Sequence, residues 1–75
     1  HALYAAKVLL KYKLLEWQEI SVTDLRAWTD ATPYFGAMHE RHFSDRSQSE
    51  WLEGLMNELV RSGAARREGD LLINL

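Results

Sequence analysis

The chain contains no cysteine, and that absence removes two ways of holding a small fold together. Neither a disulfide framework nor a thiolate zinc site can be built, so the 75 residues must be stabilised by packing alone. A cysteine-free chain also suits a reducing compartment and reads as cytoplasmic. Long apolar runs are missing as well. Lys7, Lys11, Lys13 and Glu16 interrupt the most apolar stretch, which excludes a membrane span there. Those scattered lysines also lack the basic-then-apolar order of a secretory leader.

The formal net charge is −2, so the chain lacks the basic excess of a free-standing nucleic-acid binder. A nucleic-acid footprint, if one exists, has to be local. Catalytic patterns are absent too: there is no nucleophile paired with a base, no glycine-rich phosphate loop and no carboxylate pair in a catalytic setting. Ser44, Ser47 and Ser49 read as cap and turn residues. The expectation is a binding module, not an enzyme, with no cofactor. The His39-Glu40-Arg41-His42 segment places two imidazoles on one helical face with Asp45 nearby. It lacks both a fourth ligand and the spacing of a metalloprotease, so no metal is expected.

What is present is ordinary globular composition, with 47% apolar and 27% charged residues. This supports one domain over residues 1–75. The start at His1 rather than Met reads as a domain taken from a larger protein.

Residues Ala2 to Glu19 contain neither Gly nor Pro and read as a long helix. Leu3, Ala6, Leu10, Leu14 and Trp17 form one apolar stripe at helical spacing. Tyr4, Val8, Tyr12 and Leu15 form a second, with Lys7, Lys11 and Gln18 between the two. One stripe is enough to dock a helix on a small core. The second points to a contact on the other side.

Ser21 is placed to cap a helix over Val22–Asp30, with Asp24 at its third position and Ile20 and Leu25 positioned as a hydrophobic staple. Glu19-Ile20-Ser21 can also add a short strand to a sheet. Pro33 opens a short helix through Arg41, in which Phe35, Met38, His39 and His42 recur at helical spacing despite Gly36. Asp45–Ser62 is the most strongly patterned helix, with Asp45/Gln48 and Ser47/Glu50 as competing caps. Its apolar face carries Trp51, Leu52, Leu55, Met56, Leu59 and Val60, and Gly63 supplies a left-handed stop. Ala64–Arg67 and Leu71–Leu75 then flank Glu68-Gly69-Asp70 as a hairpin. The fold class expected from these elements is mainly α with a small C-terminal β-hairpin.

That order of elements, with Ile20-Ser21-Val22-Thr23-Asp24-Leu25 and Leu59-Val60-Arg61-Ser62-Gly63-Ala64-Ala65-Arg66-Arg67-Glu68-Gly69-Asp70, resembles the winged helix-turn-helix superfamily over nearly the whole chain. The Pro33–Arg41 segment departs from it as an insertion before the last helix. The resemblance implies that the last helix and the hairpin approach DNA, with Arg46, Asn57, Arg61, Arg66 and Arg67 as base or phosphate contacts and Arg41 beside them. Against it, the exposed face of that helix also carries Glu50, Glu53 and Glu58. The alternative expectation is a protein-interaction or dimerisation module that uses Tyr4, Val8, Tyr12 and Leu15.

Overall fold

The computed structural model describes residues 2–75, with side chains from Tyr4 onward. It shows α1 (Ala2–Trp17), β1 (Glu19–Ser21), α2 (Val22–Ala31), α3 (Pro33–His42), α4 (Gln48–Arg61), β2 (Ala65–Glu68) and β3 (Leu71–Asn74). The fold is mainly helical with a three-stranded antiparallel sheet in the order β1-β3-β2.

Local chemistry explains each boundary. α1 ends at Trp17, two residues before the expected Glu19, because Gln18 adopts a left-handed φ of 72°. The Gln18 amide donates to the Leu14 carbonyl at 2.7 Å, closing the helix end, and the Gln18 carbonyl accepts from the Asn74 amide. This turn delivers Glu19-Ile20-Ser21 to the sheet, so the linker is the strand that its sequence allowed. At the start of α2 the Ser21 hydroxyl accepts from the Asp24 amide at 3.0 Å, as expected of a cap. α2 runs one residue past Asp30, and α3 one past Arg41.

The competition at the start of α4 is won by Ser47. Its hydroxyl accepts from the Glu50 amide at 3.1 Å while the Glu50 carboxylate reaches back to the Ser47 amide, a full capping box. Asp45, Arg46 and Ser47 therefore lie outside the helix, and Ser62 is its C-cap. Gly63 (φ 82°) stops α4 with two hydrogen bonds, from the Gly63 amide to Val60 and from the Ala64 amide to Leu59. That pair defines the left-handed glycine stop read from the sequence. The hairpin turns on Gly69-Asp70, and Gly69 has φ 59°. Glycine in the first loop position with positive φ matches the right-handed twist of the flanking strands. Leu75 falls just outside β3, but its amide still donates to the Ala64 carbonyl.

The core sits between α1, α4 and the inner face of the sheet. Ala6, Leu10 and Leu14 of α1 are buried against Trp51, Leu52, Leu55, Met56 and Leu59 of α4, with Leu25, Phe35 and Leu72 closing the ends. Leu3, the first member of the expected stripe, lies outside the described side chains. Trp17 and Trp28 are half-buried and meet edge-on at 5.1 Å, and an aromatic row continues through Phe35 and Trp51 to Phe43. All three tryptophans therefore pack in or against the core. α3 enters this row through Phe35 and fills one end of the core.

Candidate functional site

Two faces of the molecule carry the residues singled out in the sequence. The first is the outer side of α1. Burying Ala6, Leu10 and Leu14 turns the other stripe outward: Tyr4 and Tyr12 are each 67% exposed and Leu15 is 55% exposed. These three and Val8 form one wall of an open groove of about 660 Å³. The facing wall is the end of α4 and the open end of the sheet, namely Ser62, Gly63, Ala64, Asn74 and Leu75. Leu75 is 66% exposed and adds a further apolar side chain.

Lys7 and Lys11 also line the groove. Lys7 approaches one oxygen of Glu58 at 3.8 Å, while the other oxygen of that carboxylate holds Arg61. Glu58 is thus shared between two cations and leaves net positive charge there. Among the described residues Lys11 makes no ion pair. Lys13, the remaining lysine, pairs with Glu16 and sits 6.0 Å from the Trp17 and Trp28 rings. The chain's three lysines are all on α1, which contributes Lys7, Lys11 and Lys13 against Glu16 and so carries +2. With a total of −2, the rest of the molecule carries −4.

The second face is α4 with the hairpin. Arg46 precedes the Ser47 cap and Arg61 ends the helix, so the two stand about 20 Å apart at the helical rise. Arg46 lies 3.4 Å from Asp45, and Arg61 is paired with Glu58. Asn57, placed at i, i+4 spacing from both Glu53 and Arg61, pairs with neither, because Arg61 turns to Glu58 and Glu53 faces two other guanidinium groups. Asn57 is exposed.

On β2, Arg66 and Arg67 take opposite faces, as strand alternation requires. Arg66 pairs with Glu68 at 2.7 Å on the outer face. Arg67 shares the inner row with Leu72 and reaches Glu53 of α4 at 2.8 Å. Arg26 of α2 meets the other oxygen of Glu53 at 3.2 Å. Glu53 thereby ties α2, α4 and the hairpin together. Exposed pairs of this kind contribute from nothing to about 1 kcal/mol each, so their meaning here is electrostatic more than structural. The basic corner expected from Arg61, Arg66, Arg67 and Arg41 is divided among separate carboxylates, and Arg41 is exposed on α3.

The histidines occupy other roles. The His39 ring hydrogen-bonds the Arg46 carbonyl through Nε2 and lies beside Trp51, while His42 is exposed beside Phe43. Among the described residues no three His, Asp or Glu side chains gather as a metal site. No described helix is long and apolar enough to cross a membrane.

Sequence reasoning found one wall of the α1 groove and missed the other. Ser62–Ala64 and Asn74–Leu75 come from segments far along the chain, and only the folded sheet brings them opposite Tyr4 and Tyr12. Arg26 was missed for the same reason, since its partner Glu53 is 27 residues away. Neither a protein family, a curated protein nor a solved structure matches the chain.

Proposed function

We propose that the chain is a winged-helix, non-catalytic module that binds a protein partner through the α1 groove. The winged-helix part of this reading is supported by the element order: a long helix, a strand, a capped helix, an inserted helix, an amphipathic helix and a hairpin whose last strand takes up β1. The binding part is carried by one observation. Tyr4, Tyr12 and Leu15 are held out of the core beside a concave surface, on the helix that holds every lysine. Exposed aromatic side chains around a concavity are the usual anchors of a protein interface.

The rival reading is DNA binding through α4 and the hairpin, and the same topology favours it because the hairpin presents Arg66 and Arg67. Charge weighs against it. Glu50, Glu53, Glu58, Glu68 and Asp70 lie on the same two elements, α4 and the hairpin, as Arg61, Arg66 and Arg67, with Arg46 just before α4. Each of these four guanidinium groups is already beside a carboxylate. Phosphate contact would have to displace those carboxylates and bring their charge towards the backbone.

Titration of the isotope-labelled chain with a short DNA duplex at low salt separates the two. The expected result is no shift in α4 or hairpin amide signals at tens of micromolar. Salt-sensitive shifts mapping to Arg46, Asn57, Arg61, Arg66 and Arg67 would overturn the protein-binding reading and establish the other.

A further inference from the structure

We infer that the α1 groove takes an amphipathic helix from another protein, one that presents apolar side chains to the hollow and carboxylates to Lys7 and Lys11. This rests on the protein-binding reading above and specifies the partner's chemistry.

The backbone favours a helical guest. A strand can dock only where amide and carbonyl groups are free to pair. Along the far wall every amide donates within the chain: Ser62 to Glu58, Gly63 to Val60, Ala64 to Leu59, Asn74 to Gln18 and Leu75 to Ala64, so no row of donors is left for a docking strand. The near wall is α1, whose backbone bonds are internal. A guest here must satisfy its own backbone, which a helix does. From Tyr4 to Leu15 the exposed stripe covers about 16 Å at the helical rise, enough for roughly three turns of a crossing helix.

Charge decides what the guest carries. α1 holds +2 while the rest of the chain holds −4, and within the groove Lys11 makes no ion pair among the described residues. A second copy placing its own α1 antiparallel in the groove would bring lysine rows together, which opposes pairing of identical faces. An anionic lipid surface would satisfy the lysines. However, the tyrosines line a hollow between two walls, whereas burial in a bilayer interface requires a protruding apolar face. Acidic residues flanking the guest's apolar stripe meet both demands.

The test uses the whole chain and two labelled synthetic helical peptides of about 15 residues. Both carry leucine at i, i+3, i+4 and i+7, one with glutamate and one with lysine at the flanking positions. Fluorescence anisotropy at low ionic strength should show the glutamate peptide binding roughly tenfold more tightly than the lysine peptide. The Lys7→Glu/Lys11→Glu variant should invert that order, and Tyr4→Ala/Tyr12→Ala should lose both. All four side chains lie outside the core, so thermal melts of Tyr4→Ala/Tyr12→Ala should match the parent, and Lys7→Glu/Lys11→Glu should melt only a few degrees lower, for the loss of the Lys7–Glu58 pair. Equal binding of the two peptides, or binding of neither at hundreds of micromolar, overturns the acidic-helix guest. If the duplex titration is silent at the same time, the broader protein-binding reading stands; if the duplex binds through α4, that reading fails with it. Self-association that Tyr4→Ala/Tyr12→Ala abolishes would make the guest a second copy. Sedimentation with phosphatidylserine vesicles that Lys7→Glu/Lys11→Glu abolishes, without peptide binding, would make it a lipid surface. Either result overturns the inference.

Discussion

On the outer side of α1, Lys11 stands beside exposed tyrosines with no ion pair among the described residues, and Lys7 shares Glu58 with Arg61. Across the molecule, on α4 and the hairpin, arginines outnumber those lysines, but each of the four expected to contact DNA has a carboxylate within 4 Å. One face keeps apolar surface and positive charge available. The other has matched its charges internally and buried Trp51, Leu52, Leu55, Met56, Leu59 and Leu72, leaving only the smaller edges of Val60 and Leu71 at the surface. Counting basic residues would rank the second face first as a binding surface. Asking which groups are already satisfied reverses the order, because a group engaged within its own fold gains less from a partner than one engaged only with water.

The sharpest way to break this contrast lies within α1 itself, whose two sides should respond to truncation by very different amounts. Leu10 is fully buried between α1 and α4, so Leu10→Ala removes apolar contacts and leaves a cavity. The expected loss is about 2–5 kcal/mol. In urea titration this appears as a lower midpoint with an unchanged slope. A loss under about 1 kcal/mol would mean that α1 is not docked by its inner stripe.

α4 supplies the next two tests. Ser47→Ala removes the hydroxyl that accepts from the Glu50 amide and should cost about 1 kcal/mol. If Asp45 can take over as cap, the cost falls to near zero and the helix start moves. Gly54 lies mid-helix on the exposed face, with nothing within 4 Å of where a Cβ would stand. Gly54→Ala should therefore stabilise the chain by about 0.5–1 kcal/mol and raise the melting temperature by several degrees. A destabilising outcome would show that this face is covered by something, which the contrast above denies.

The extent to which the sequence could be read follows the range of each interaction. Helix caps, the Gly63 stop and the Gly69 turn depend on residues within about six positions of one another, so the amino-acid order alone places them. The exception among local signals was the end of α1. Gln18 is not a residue that advertises a left-handed φ, and its conformation is held by the Asn74 amide at the far end of the chain. The outward stripe Tyr4, Val8, Tyr12, Leu15 was visible because helical periodicity allows only one of two apolar sides to face a single core. Its opposing wall was not, since Ser62–Ala64 and Asn74–Leu75 arrive by strand pairing. For the charged residues, sequence alone showed three carboxylates on α4, but not that Glu53 reaches Arg26 and Arg67.

That shared carboxylate gives a smaller test. Glu53→Gln removes the charge between two guanidinium groups on α2 and the hairpin, changing the formal net charge from −2 to −1. Since these side chains are a third or more exposed, the stability cost should stay below about 1 kcal/mol. Duplex affinity at low salt should rise above that of the parent, because two arginines lose their internal partner. An unchanged affinity would mean that arginine pairing is not what keeps this face from phosphate.

The smallest expected effect completes the comparison with Leu10. Tyr12 sits on the same helix but is already 67% exposed, so Tyr12→Ser should alter unfolding free energy by no more than about 0.5 kcal/mol. Folding gains little by placing a tyrosine there, and leaving its ring in water carries a solubility cost that a serine would avoid. A large bulky side chain that contributes nothing to its own fold is what an anchor residue looks like before its partner arrives. If Tyr12→Ser instead costs about 2 kcal/mol or more, the ring is packed within the chain. The outward stripe would then be part of the core, and the two sides of α1 would no longer differ.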